Sequence, residues 1–121
     1  MDVQRTIEYY SHLTTDDLCQ CATCRNYMLR IKAAYPLVAQ YLQTMGVDIE
    51  KPFEAMPLPP DPAGTIEYMA VQYIVMGSEN GFEKTAVGGV DIDRAESYPF
   101  TDIEEEHFVI ELAPITLKWE L

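Results

Sequence analysis

The spacing of apolar positions changes several times along the chain, and each change predicts a different element. Residues 2–10 alternate, with Val3, Ile7 and Tyr9 on one side, which predicts a first β-strand. Thr14 and Thr15, followed by Asp16 and Asp17, predict a turn or a short capped helical turn. From Thr23 to Met45 the period lengthens. Tyr27 or Met28, Ile31, Tyr35, Val38, Leu42 and Met45 recur at spacings of three and four, one apolar helical stripe. Pro36 interrupts the stripe without shifting its phase. One kinked helix is expected, or two end to end with Pro36 in the first turn of the second. Gly46 is a natural stop in the left-handed conformation.

The second half reads as sheet. Five prolines between Lys51 and Ala63 predict a rigid extended connection, with Phe53, Met56 and Leu58 packing down. Thr65 to Met76, rich in Ile, Tyr and Val, is the best central strand. GSENG at 77–81 predicts a turn to a partner strand within residues 82–95, where Gly88-Gly89 marks a bulge or bend. Residues 101–106, TDIEEE, suggest a capped helical turn with Thr101 and Glu104 as a capping box. Beyond it, Phe108, Ile110 and Leu112 share one face, while Ile115, Leu117, Trp119 and Leu121 have the opposite parity. A bulge or corner at Ala113-Pro114 follows from that change. The sum is an α+β fold, a mostly antiparallel sheet of about four or five strands packed against a Pro36-kinked N-terminal helical segment. One domain is expected over residues 1–121: strand, cysteine hook and helix over 1–50, the Pro-rich connection over 51–64, the sheet over 65–121.

Composition narrows the function. At 121 residues and 48% apolar, the chain has the makings of a folded core. No run approaches the ~20 apolar residues that span a bilayer. The start MDVQRTIEYY lacks the basic-then-apolar pattern of a secretory signal, so the cytoplasm is the expected location. Twenty acidic residues against eight Lys plus Arg give a net charge of −12, which argues against nucleic acid and anionic membranes as partners. From Val87 onward only Arg94 and Lys118 oppose nine acids, so a basic protein partner is the interaction this charge suits.

Candidate chemistry is concentrated in LCQCATCRN, residues 18–26, which holds all three cysteines. Cys19, Cys21 and Cys24 form C-x-C-x-x-C at the expected start of the long helix. Helix amides and Arg25 favour thiolates there. Three thiolates suit zinc, and Cys21-x-x-Cys24 has knuckle spacing. Without a second such pair, the fourth ligand is open: His12 is the local candidate, His107 the distant one, with Asp16, Asp17 or water as further options. Two other readings stand beside zinc. The cysteines are small core residues, or Cys21 and Cys24 are a redox pair, although the βαβ setting usual for such pairs is missing. The three glutamates before His107 should raise its pKa, and Asn26 should satisfy local backbone near the helix start. No phosphate-binding glycine loop, nucleophile elbow or H-E-x-x-H motif occurs, so catalysis is not expected.

The stretches LCQCATCRNY, YPLVAQYLQTMGVDIEKPFE and EEEHFVIELAPITLKW resemble a group of small bacterial cytoplasmic proteins with a CxCxxCxN stretch and no assigned activity. That resemblance implies a bacterial cytoplasmic location and brings no ligand set. The expected molecule is a non-catalytic interaction or scaffolding domain with a structural zinc held by Cys19, Cys21, Cys24 and His12. A thiol redox protein and a small-molecule binder with a pocket between helix and sheet are the alternatives.

Overall fold

The computed structural model describes residues 1–119. Leu121, expected to share a face with Ile115 and Leu117, lies outside the described residues. Three α-helices, α1 (Val3–His12), α2 (Ala22–Ala34) and α3 (Pro36–Thr44), precede six strands. These are β1 (Glu54–Pro57), β2 (Thr65–Met76), β3 (Thr85–Val87), β4 (Val90–Arg94), β5 (His107–Ala113) and β6 (Ile115–Lys118). All pairings are antiparallel, in the order β1-β2-β5-β4-β3, with β6 also on β2. The architecture is α+β, with the N-terminal helices packed on the sheet.

The first strand expected from sequence is instead helix α1. Its alternation is accidental: Val3 and Ile7 are exposed, and the buried positions are Thr6 and Tyr10, a helical i, i+4 pair. Asp2 caps the helix by accepting from the Arg5 amide. The reason for helix lies in β2. β1 covers the β2 edge only as far as Gln72, and beyond it α1 supplies the missing partners. Tyr10 donates to the Ile74 carbonyl at 2.7 Å, the Asp2 amide donates to the Met76 carbonyl at 2.8 Å, and the Met76 amide donates to Thr6 Oγ1 at 3.0 Å. Backbone groups that a neighbouring strand would satisfy are thus satisfied by a helix.

The helical stripe divides at Pro36, which occupies the first position of α3, where its missing N–H costs nothing. Tyr27, Ile31, Val38, Leu42 and Met45 are buried along it. Gly46 ends α3 at φ +84°, and a Cβ there would meet the Val3 carbonyl oxygen at 2.7 Å. Tyr35, at the break, receives the Thr116 amide on its hydroxyl and donates to the Thr116 carbonyl. This closes the outer edge of β6.

Four other expectations change. Part of the Pro-rich connection is a strand, because β1 pairs with β2 through a bulge between Ala55 and Pro57. Gly88-Gly89 is the two-residue turn of the β3–β4 hairpin, with both φ values positive (+57° and +82°). β5 lies between β2 and β4, so the strand after GSENG does not neighbour β2. Residues 101–106 form no helix; Thr101 bonds His107 Nε2 at 2.8 Å instead of capping.

The corner at Ala113-Pro114, a cis peptide bond, contains no inserted residue. Val71 faces Leu112 and Tyr68 faces Ile115, so register is kept while β2 and the β5–β6 line change side-chain parity together. Six strands therefore occupy five positions. Tyr68, Val71 and Tyr73 stay with Leu112, Ile110 and Ile115 in one core shared with the helices, while Ile74, Met76 and Val109 pack on the opposite face.

Candidate metal centre

The sulfurs of Cys19, Cys21 and Cys24 all lie within 4.8 Å of one another, and no His, Asp or Glu among the described residues joins them. Local sequence explains the gathering. Asp17 and Thr14 form a capping box around the 3₁₀ turn Thr15–Asp17, and the Gln20 amide donates to the Thr15 carbonyl at 2.6 Å. This hook returns the chain to the start of α2, where Cys21 is the N-cap residue. Cys24 follows one turn later on the same side. Cys19 Sγ donates to Cys21 Sγ at 3.2 Å, and the Thr23 hydroxyl lies 3.3 Å from Cys21 Sγ.

Electrostatics separates Cys21 from Cys24. The Thr23 hydroxyl first, then the Cys24 backbone amide and the Cys19 thiol, pull the Cys21 thiol down to about 6. Burial, reinforced by the neighbouring thiols, pushes Cys24 upward. Cys19 and Cys21 are exposed and Cys24 is half-buried, so the cluster opens to solvent with one sulfur set into the protein.

The scaffold beneath is buried and polar at chosen points. Tyr68 donates to the Thr23 carbonyl at 2.5 Å, tying the first turn of α2 to the central strand. Asn26 is buried and donates to the Lys118 carbonyl at 2.9 Å, while its oxygen accepts from Arg30 Nε at 3.0 Å. It therefore joins α2 to β6 instead of serving the local backbone. Tyr27 and Tyr73, one turn deeper, are hydroxyl to hydroxyl at 2.5 Å.

The other sequence candidates are apart from the sulfurs. His12 is exposed in the last turn of α1 and does not belong to the cluster. His107 has both ring nitrogens engaged, by Thr101 and by the Glu105 carbonyl. Burial lowers its pKa, the reverse of what the glutamate run suggests, because Glu104, Glu105 and Glu106 face solvent and Glu105 pairs with Arg5. A cavity of about 710 Å³ lies between α1, α3 and the 46–51 connection, lined by Ile7, Tyr10, Gln40 and Lys51 among others. It is between two helices, not between helix and sheet, and the Lys51 ammonium there is engaged by the Tyr10 and Leu13 carbonyls. Sequence spacing had no means to show it.

Fold and site together define an α+β domain with a surface cluster of three thiols able to hold a metal ion. No known protein family, characterised protein or solved structure matches the chain. Among the described residues, no helix is long and apolar enough to cross a membrane.

Proposed function

We propose that this is a non-catalytic metal-binding domain of the bacterial cytoplasm, in which Cys19, Cys21 and Cys24 hold one thiophilic ion. The observation that carries the reading is the convergence of three sulfurs within 4.8 Å. Thiolate donors favour zinc and softer ions over magnesium or calcium, which want oxygen. With zinc, the fourth position falls to His12, brought in by movement of the hook, or to water. The acidic surface, including exposed Glu104 and Glu106, is the face for a basic protein partner. Native mass spectrometry after growth in zinc-replete medium tests the site: one ion per chain is expected, and a metal-free native mass ends the reading. Charge reversal of Glu104–Glu106 should abolish capture of the basic partner, and binding that ignores salt would count against that part.

A second reading has its own support. Cys21, with its thiol drawn down to about 6, lies three residues before half-buried Cys24 at the start of α2, an arrangement suited to thiol–disulfide exchange. A reversible Cys21–Cys24 disulfide would favour it over metal binding.

A further inference from the structure

Zinc leaves the donor count short. A structural zinc site is closed by four protein ligands at tetrahedral angles. Among the described residues the gathered donors are three, all sulfur, with no nitrogen or oxygen ligand beside them. Both ring nitrogens of His107 are engaged at Thr101 and Glu105, and the whole hook from Leu13 to Leu18 separates His12 from Cys19 in the chain.

A structural ion should also have something to order, and both segments around the cluster are ordered without it, the start of the hook by Lys51 on the Leu13 carbonyl as well. The hook is held by the Thr14–Asp17 box and by the Gln20 amide on the Thr15 carbonyl. The first turns of α2 are held by Tyr68 on the Thr23 carbonyl and by Asn26 on the Lys118 carbonyl. None of these ties passes through sulfur. An ion that binds the folded chain always adds stability, but folding requires it only where the metal-free chain lacks other ties, and here hydrogen bonds supply them.

We infer that the cluster takes a soft, three-coordinate ion, cuprous copper, and holds it exchangeably at the surface. This rests on the reading that the cysteines bind a metal and differs from it in the ion and its purpose. Soft thiolates select Cu(I), a d¹⁰ ion content with three sulfurs and no fourth ligand. On binding, the ion displaces the thiol protons and forms three Cu–S bonds, with no change of oxidation state. The exposed pair, Cys19 and Cys21, leaves the ion open to an incoming thiolate from a partner, while Cys24 stays behind as the anchor. Transfer then proceeds by exchange of one sulfur at a time.

The test is an anaerobic titration of the full chain with Cu(I) against a colorimetric chelator, with X-ray absorption at the copper edge and a parallel zinc-loaded sample at the zinc edge. One copper per chain in a shell of three sulfurs is expected. Cys19→Ser, Cys21→Ser and Cys24→Ser should each lose a sulfur from that shell, and His12→Ala should leave it unchanged. The metal-free chain should keep native circular dichroism and a cooperative melt. Three results overturn the inference: a two-sulfur copper shell, a four-donor zinc shell that loses nitrogen in His12→Ala, or a metal-free chain that is unfolded. Failure of either ion to bind at one per chain is a separate result, which removes the metal reading itself.

Discussion

Two phenols in the core make unequal contributions although they touch one another. Tyr73 donates its only hydroxyl hydrogen to the Ile49 carbonyl at 2.6 Å, so the 2.5 Å contact between the two rings is a donation from Tyr27 to Tyr73. Burial pushes both phenols above their ordinary pKa, which keeps both hydrogens in place at neutral pH. Tyr27→Phe removes the first donor of this chain and leaves Tyr73 still bonded to Ile49. One net hydrogen bond is lost, about 1 kcal/mol. Tyr73→Phe removes the middle link. It strands a buried Tyr27 hydroxyl and takes the phenolic donor from the Ile49 carbonyl; at ~1–3 kcal/mol for each such group, the cost is about 2–6 kcal/mol. For a domain of this size the melting point should fall by about 4 °C in the first variant and roughly 10 °C or more in the second. The double variant removes the stranded hydroxyl and should be no less stable than Tyr73→Phe alone. Urea denaturation followed by circular dichroism measures all three. If Tyr27→Phe proves as costly as Tyr73→Phe, the direction assigned to the hydrogen bonds is wrong.

Three further outcomes are expected. Alkylation of Cys21 should follow a thiol titrating near 6, and Thr23→Val should move that titration upward; mass-resolved labelling against pH reads both. Because this folded value lies below the unfolded one, Cys21 contributes stability that is complete above the unfolded pKa and is lost as pH falls through about 6. Gly46→Ala should destabilise more than Gly81→Ala: both have positive φ, but only at Gly46 does the new methyl meet backbone, at 2.7 Å. The difference should exceed about 1 kcal/mol in thermal melts. Tyr68→Phe should cost about 1 kcal/mol and speed hydrogen exchange in the first turn of α2, since it frees the Thr23 carbonyl; unchanged exchange there would refute that tie.

What could be read from the sequence was governed by local chemistry. Pro36 and Gly46 act through their own backbones, so the break and the end of the helical stripe were visible. The parity change at Ala113-Pro114 was visible too, because it is written in the alternation itself. Its resolution was not, since it depends on β2 changing parity at the same level. Helix α1 was misread because its buried face is Thr6 and Tyr10, one polar and one aromatic, and because its purpose is to satisfy a distant strand. The three sulfurs were legible as a set, their spacing being short enough for one hook to gather them. The cavity between α1 and α3 and the engagement of His107 are products of tertiary packing and leave no local trace.

The helices that flank this sheet do more than cover its face. Hydroxyls from Thr6, Tyr10 and Tyr35 and the amide of Asn26 terminate the borders of β2 and β6. The far border ends in β3, three residues long. Among the described residues the remaining edge strands, β1 and β3, are only four and three residues long, so a foreign strand finds no long ribbon of open peptide groups to recruit. A chain as rich in Ile, Val and Tyr as this one would otherwise be a seed for fibrils, so proteolytic loss of the first helix should leave a sheet edge that recruits foreign strands and polymerises.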